Sequence, residues 1–340
     1  MAIVLDPELA LPSATRTRRA PRTPSPSRAA AATPAEIPLR ALGKTGEYVS
    51  AIGLGGYHLG LVGTEREAIR IVHEAIDAGV TFMDNAWEYH EGKSEEHMGM
   101  AVVGRRDLVF LMTKVCTHGR DAKVAMRQLE QSLRRLKVEY LDLWQVHELA
   151  YANDPERHFA AGGVIEALDR ARAQGKVRFV GFTGHKDPAI HLRMLSFDYP
   201  FDTCQIPLNC CDATFRSFER QVLPELQRRG IAPIGMKSLG GEADMVKKKA
   251  VSPQDALRYA MSLPVATTVS GIDSLRVLRQ NLAVARGFLP MTSAEMESLR
   301  TRCASLAADG RFELYKTTAK HEGPIGRREH GFPPLDEQET

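Results

Sequence analysis

Four side chains in this sequence could together move a proton: a carboxylate, a phenol, an ammonium and an imidazole. They are Asp84, Tyr89, Lys114 and His147. A phenol has an ordinary pKa of about 10, so it serves as a proton donor near neutral pH only if a nearby cation stabilises its anion. The combination of a tyrosine with a lysine therefore indicates acid–base chemistry on a small substrate.

Three of these residues stand at or just beyond the end of an apolar, strand-like segment. The segments and the residues that follow them are 81–83 with Asp84, 108–113 with Lys114, and 141–146 with His147. Catalytic residues collect where the strands of an α/β sheet end, because the strands hold them rigidly while the loops vary. Three consecutive strands are therefore expected to bring the four side chains to one rim.

Strand-like and helix-like segments alternate along most of the chain. Residues 51–286 hold eight apolar strands, each followed by a helical pattern, which is the count of a barrel. A doubly wound sheet would usually show a Gly-x-Gly-x-x-Gly turn, and that spacing is missing after Gly53. The predicted fold class is α/β, a (β/α)8 TIM barrel with an N-terminal β-hairpin whose turn is residues 43–46. We expect Ser94 and Ser252 to cap helices.

Composition divides the chain into three parts. Residues 1–36 are rich in proline, arginine and alanine and are expected to be disordered. The twin arginines Arg18 and Arg19 lack the apolar region that an export signal needs. Residues 37–310 form the predicted barrel. Residues 311–340 show no clear periodicity and form a C-terminal extension, which either lies over the barrel mouth or is a tail.

The overall composition argues against several classes of protein. The net charge is only +3, which favours neither nucleic acid nor an anionic membrane as a partner. No apolar run approaches the ~20 residues needed to span a bilayer. The five cysteines show no Cys-x-x-Cys spacing, so we expect neither a disulfide framework nor a metal cluster, and residues 90–97 are interpreted as a charged helix start. A cytoplasmic location is the simplest, and the oligomeric state is left open.

The motif around the tyrosine resembles the signatures of the aldo-keto reductase family. The matching patterns are Phe82-x-Asp84-x-Ala86-x-x-Tyr89 and Tyr89-x-x-Gly92-x-Ser94-Glu95. The resemblance covers roughly residues 38–286. It implies an enzyme that transfers hydride from NADPH or NADH to a small aldehyde or ketone, and that can also run in reverse.

The resemblance also implies a role for each member of the set Asp84, Tyr89, Lys114 and His147, which we call the tetrad. Tyr89 would give its proton to the carbonyl oxygen. Lys114, ion-paired to Asp84, would lower the pKa of the phenol. His147 would orient the carbonyl and share its developing charge.

The later strands are expected to hold the cofactor, NADP or NAD, partly because barrels often bind phosphate after strands 7 and 8. The candidate contacts are Thr183, Gln205, Met236, Lys237, Leu239, Gly271, Asp273, Gln280 and Asn281. By the resemblance, the glutamine at 205 would hold the nicotinamide carboxamide, the lysine at 237 the pyrophosphate, and the pair at 280 and 281 the adenine.

Several positions depart from the family pattern. After the fifth strand, the family usually has Ser-Asn, whereas this chain has Thr-Gly-His at residues 183–185. The threonine keeps a hydroxyl, but the side-chain amide of the asparagine is lost. Asp273 brings a carboxylate close to the expected 2′-phosphate, although Arg276 and Arg279 could compensate. The choice between NADP and NAD therefore stays open.

The substrate is not identified by any recognised pattern, and the pocket wall is assigned to four residues: Tyr57, His58, Trp87 and Cys210. Two other functions remain open. The barrel could be a cofactor-binding sensor or regulatory subunit, or it could be a phosphate-handling isomerase or lyase in which Lys114 forms a Schiff base.

Overall fold

The apolar segments become strands of one barrel. The computed structural model describes residues 36–116, 121–319 and 321–335, so the expected disorder of residues 1–35 lies outside the described residues. The strands are β1 (Leu39–Ala41), β2 (Tyr48–Ser50), β3 (Ile52–Gly55), β4 (Phe82–Asp84), β5 (Phe110–Val115), β6 (Leu141–Leu149), β7 (Val177–Gly184), β8 (Thr203–Pro207), β9 (Ala232–Met236) and β10 (Thr267–Gly271). In this part of the chain, eight parallel strands close in the order β10-β3-β4-β5-β6-β7-β8-β9. The predicted barrel with its hairpin is confirmed.

Helices follow the barrel strands and cover their outer faces. They are α1 (Gly56–Gly60), α2 (Glu65–Asp77), α3 (Lys93–Val102), α4 (Ala122–Leu136), α5 (Asp154–Phe159), α6 (Val164–Ala173), α7 (Pro188–Leu195), α8 (Phe218–Arg229), α9 (Asp244–Lys247), α10 (Pro253–Ser262), α11 (Leu275–Ala285), α12 (Ser293–Ala307), α13 (Leu314–Thr317) and α14 (Pro324–Glu329). In α2 the buried residues recur at 68, 71, 72, 75 and 76, the spacing of one helix face. None of the helices in the described part of the chain has both the length and the apolar character that crossing a bilayer requires.

One of the two expected serine caps is confirmed and the other is wrong. Ser252 precedes α10, and its hydroxyl accepts the backbone N–H of Asp255 at 3.0 Å. Ser94 lies inside α3, which begins one residue earlier after Gly92 in a left-handed conformation. Its hydroxyl instead donates to the backbone carbonyl of Gly56 at 2.6 Å, which ties α3 to the end of β3.

The hairpin closes the N-terminal end of the barrel. Strands β1 and β2 pair antiparallel, and Leu42 and Val49 are completely buried. They pack with inward-facing side chains of the barrel strands, among them Phe82, Phe110 and Ile234. Because this end is filled with apolar side chains, a small molecule can reach the barrel interior only from the C-terminal ends of the strands.

Residues 311–319 and 321–335, here called the C-terminal segment, pack on the loops at that open end. Lys316 is completely buried, and its ammonium donates to Asp212 Oδ1 at 2.6 Å and Glu313 Oε2 at 2.8 Å. Farther along, Glu322 accepts from Tyr151, in the loop after β6, and from Lys186, in the loop after β7, both at 2.7 Å. The segment is therefore held against the rim after β6, β7 and β8.

Candidate active site

The four residues singled out by their chemistry meet at the open end of the barrel. Asp84 is the last residue of β4, Lys114 lies near the end of β5 and His147 near the end of β6. The Lys114 ammonium lies 2.6 Å from Asp84 Oδ1 and donates to the Asn85 carbonyl at 2.7 Å and the Tyr89 hydroxyl at 3.3 Å. The rings of Tyr89 and His147 are edge-to-face, 5.6 Å between centroids. All four groups can therefore act on one small substrate.

A tight turn after β4 brings Tyr89 back over the barrel. His90 and Glu91 both have positive φ values, 50° and 58°, and Gly92 follows at 95°. A left-handed φ of this size is strained for any residue with a Cβ, which explains the glycine at the position before α3.

The protonation states of the phenol and the ammonium follow from burial. Burial raises the pKa of Tyr89 well above its ordinary value, and the carboxylates of Asp84 and Glu88 add to the rise. Burial lowers the pKa of Lys114, while Asp84 opposes that change. The sequence predicts that Lys114 lowers the phenol pKa, but burial and the carboxylates leave the net shift of that pKa upward. The phenol stays protonated at neutral pH.

A glutamate that the sequence did not single out pairs with the tetrad histidine. Glu88 Oε1 lies 2.7 Å from His147 Nδ1. Burial lowers the pKa of His147, and the Glu88 carboxylate raises it. When the pair shares a proton between Nδ1 and the carboxylate, the other ring nitrogen, Nε2, keeps its own hydrogen and remains a donor.

Replacing Glu88 by glutamine should therefore alter the pH profile of carbonyl reduction. Because Glu88 raises the pKa of His147, its loss lowers that pKa, and the basic limb of kcat/KM should move to lower pH. Above that limb, kcat/KM should fall about tenfold. Glu91→Gln, a change of an exposed glutamate in the same turn, is the matched control and should leave the profile unmoved. An unshifted basic limb in Glu88→Gln would show that the glutamate does not act through His147.

A second carboxyl and histidine lie beside the first pair. Glu148 takes a positive φ of 65° where the pairing of β6 and β7 shifts register, and His185 Nε2 lies 3.0 Å from its Oε1. One side-chain atom from each of Glu88, His147 and Glu148 lies within 4.8 Å of the others. Burial and the Glu88 carboxylate raise the pKa of Glu148 well above its ordinary value.

The candidate cofactor residues lie on the strands and loops after β7 to β10. Thr183 and Gln205 are buried in β7 and β8. Three candidates lie at or just after the end of β9, and the other four end β10, follow it or lie on α11: Met236, Lys237, Leu239, Gly271, Asp273, Gln280 and Asn281. The Asn281 amide donates to the Ser270 hydroxyl at 3.0 Å, which links α11 to the end of β10. These residues share the rim with the tetrad.

Of the four residues assigned to the substrate wall, Tyr57 and His58 lie beside the tetrad and the candidate cofactor loop, respectively. Tyr57 is half exposed and its ring lies edge-on to Tyr89, 5.4 Å between centroids. His58 lies against Gly271, where a Cβ would be 2.3 Å from His58 Nδ1, so it faces the candidate cofactor loop. Burial lowers the pKa of His58.

The other two wall assignments need correction. Trp87 turns outward, because its indole N–H donates to Gln131 Oε1 of α4 at 2.7 Å. Cys210 is completely buried, and its sulfur is 3.6 Å from that of Cys303 on α12. Neither of these two side-chain contacts involves the tetrad.

Comparison with known proteins agrees with this architecture. The sequence model of the Aldo/keto reductase family matches residues 51–254. The chain therefore belongs to the aldo/keto reductase family, as the resemblance predicted.

Individual relatives are moderately similar. L-galactose dehydrogenase of Arabidopsis thaliana is 29% identical over 60% of this chain and 66% of its own. Aldo-keto reductase YhdN of Bacillus subtilis is 32% identical over 53% of this chain and 55% of its own. The matches thus span less than two thirds of these relatives.

Solved structures share the fold at low identity. An aldo-keto reductase from Bacillus halodurans in its holo form has a TM-score of 0.67 and 22% identity, covering 82% of this chain and 100% of that one. One from Klebsiella pneumoniae, solved with NADPH, has a TM-score of 0.63 and 22% identity, covering 81% of this chain and 96% of that one. At this identity the likeness shows the fold.

Proposed function

We propose that this protein reduces an aldehyde or ketone to an alcohol with NADPH or NADH, and that Tyr89 is the general acid. The observation that carries the proposal is the contact of the Lys114 ammonium with both Asp84 and the Tyr89 hydroxyl at the open end of the barrel. Family membership supports the reaction class. The solved neighbours that hold NADPH or NADP support the choice of cofactor.

Each side chain has a definable task. The Tyr89 hydroxyl donates its proton to the carbonyl oxygen, because a developing alkoxide is a stronger base than a phenolate. The paired Lys114 ammonium stabilises the phenolate that results. His147, held by Glu88, donates a hydrogen bond from Nε2 to the same carbonyl oxygen and orients it. The same groups allow the reverse oxidation, in which the phenolate accepts the proton of the alcohol.

The residues at the rim fit a nicotinamide cofactor. Among the described residues, Gln205 Oε1 is a buried acceptor without a hydrogen-bond partner, which suits the N–H of a carboxamide. Lys237 follows β9, where it can meet a pyrophosphate, and α11 begins after Ser274, whose hydroxyl accepts the Val277 N–H, so that the positive end of this helix suits an anion. When bound, the reduced nicotinamide supplies hydride to the carbonyl carbon.

Cofactor preference should respond to Asp273. This exposed carboxylate lies at the start of α11, where it would repel a 2′-phosphate by about a kcal/mol. Arg279, one of the possible compensating cations, is paired with Glu74 at 2.6 and 3.0 Å. Asp273→Asn should therefore improve the affinity for NADPH over NADH about fivefold, measured by fluorescence titration of each. Asp107→Asn, a distant exposed change, is the control, and an unchanged affinity ratio would place Asp273 away from the ribose.

Turnover by the purified full-length protein tests the proposed function. Oxidation of NADPH or NADH should depend on an added generic aldehyde, followed by the loss of absorbance of the reduced cofactor. Cofactor binding without turnover of any carbonyl compound would favour the sensor interpretation. Trapping of a substrate on Lys114 by borohydride, without any need for cofactor, would favour the Schiff-base lyase.

A further inference from the structure

Three cysteines from distant parts of the chain converge in the interior. Cys210 and Cys211 lie in the loop after β8, and Cys303 lies on α12. All three are completely buried and free of disulfide bonds. The sulfurs of Cys210 and Cys303 are 3.6 Å apart, and all three sulfurs lie within 4.8 Å of one another. None of the three belongs to the tetrad or to the pocket above it.

The spacing of the sulfurs suits a shared metal ion. Thiolates bound to one ion at about 2.3 Å lie about 3.8–4.0 Å from each other, whether the geometry is tetrahedral or trigonal. The Cys210–Cys303 sulfur separation of 3.6 Å is slightly shorter than this value, and the other two separations are no more than 4.8 Å. An ion at the centre of the triangle would therefore require only small side-chain adjustments, without rebuilding of the backbone.

The two segments that carry the sulfurs are held in place independently of any ion. Asn209 Oδ1 accepts the backbone N–H of Cys211 at 2.9 Å and of Asp212 at 3.1 Å, which fixes the turn. The Asn209 amide in turn donates to Glu313 Oε1 at 3.0 Å. On α12, Cys303 belongs to the buried face, together with residues 296, 299 and 307. The ligands are thus preorganised by their surroundings.

We propose that Cys210, Cys211 and Cys303 bind one Cu(I) ion as three thiolates. Soft thiolate ligands select Cu(I) and zinc among the first-row metals. Structural zinc sites take four protein ligands, whereas within the described residues this group of thiols has no fourth histidine, cysteine or carboxylate. A three-coordinate site made only of thiolates therefore favours Cu(I) over zinc. As each sulfur–copper bond forms, the proton of that thiol leaves to solvent, and no oxidation or reduction is needed.

Titration of the reduced, metal-free, full-length protein with Cu(I) alone tests the site. The titration is carried out without oxygen, in competition with a chromogenic Cu(I) chelator. We expect one bound ion per chain, a thiolate-to-copper absorption band and a raised melting temperature. Cys303→Ser should weaken binding by about a hundredfold or more, because serine is a hard ligand. These measurements do not depend on carbonyl reduction. The proposed copper site can therefore be confirmed or rejected independently of the proposed function.

Cys116→Ala is the matched control, since Cys116 is also a buried cysteine outside any disulfide bond but lies after β5, away from the cluster. It should bind Cu(I) as tightly as the parent. If Cys303→Ser does not fold, Cys211→Ala, which changes the loop rather than the helix, takes its place with the same expected loss. The proposal is overturned if no stoichiometric Cu(I) is taken up, if uptake survives both cluster variants, or if the same cysteines prefer Zn(II).

Discussion

Replacing Tyr89 by phenylalanine is expected to lower the rate of carbonyl reduction by about 10²–10⁴ while cofactor binding persists. The ring would keep its edge-on contacts with Tyr57 and His147. Only the hydroxyl, 3.3 Å from the Lys114 ammonium, would be lost. Binding and chemistry should therefore separate: kcat falls, and the dissociation constant for NADPH, measured by fluorescence titration, stays near its parental value.

Tyr57→Phe is the matched control for this change. Tyr57 also stands at the pocket mouth, but it is half exposed, and its hydroxyl is not assigned to the proton transfer. Its variant should keep most of the activity. If Tyr89→Phe reduces aldehydes at near the parental rate, the phenol is not the acid, and the interpretation as a cofactor-binding sensor becomes the stronger one.

Replacing Lys114 by methionine is expected to damage both stability and activity. The variant leaves the Asp84 carboxylate buried without its cation, which costs about 3–5 kcal/mol of unfolding free energy. It also removes the charge that stabilises the phenolate, so reduction should fall at least about a hundredfold. Urea unfolding followed by circular dichroism measures the first effect, and steady-state kinetics measures the second.

Two double variants separate these effects. Lys114→Met with Asp84→Asn removes both charges, so it should regain much of the lost stability without regaining activity. Lys114→Met with Tyr89→Phe should be barely slower than the poorer single variant, because both changes disable one proton-transfer unit. Full additivity of the two rate losses would contradict a shared unit.

Most of the fold could be predicted because each strand is locally apolar and each helix has one apolar face. At the end of β6, the local sequence pattern is not sufficient to predict where the strand ends. Its apolar segment ends at residue 146, yet the strand continues to Leu149. Within this continuation the backbone is left-handed at Glu148, and the register against β7 shifts. A conformation set by neighbouring strands leaves no periodic signal.

Asp84, Lys114 and His147 could be predicted because they stand at strand ends, and Tyr89 because it completes the motif after β4, whereas the groups around them depend on loop conformation. Glu88 reaches His147 only through the tight turn that follows it, and a glutamate beside a tyrosine motif resembles any solvated charge. In the sequence, His185 stands out only because the Thr-Gly-His segment lacks the amide of the usual Ser-Asn pair. The outward turn of Trp87 depends on Gln131, more than forty residues away, which no local pattern connects to it.

The anchoring of the C-terminal segment decides where small molecules can pass. Lifting the segment would strip the buried Asp212 of its Lys316 partner, a costly step in a dry interior. In the ring of eight strands, β3 stands opposite β7, and the short helix after β3 carries the half-exposed Tyr57. The rim is therefore covered by the C-terminal segment on the side of β7 and open on the side of β3. We expect substrate and product to enter and leave only past Tyr57.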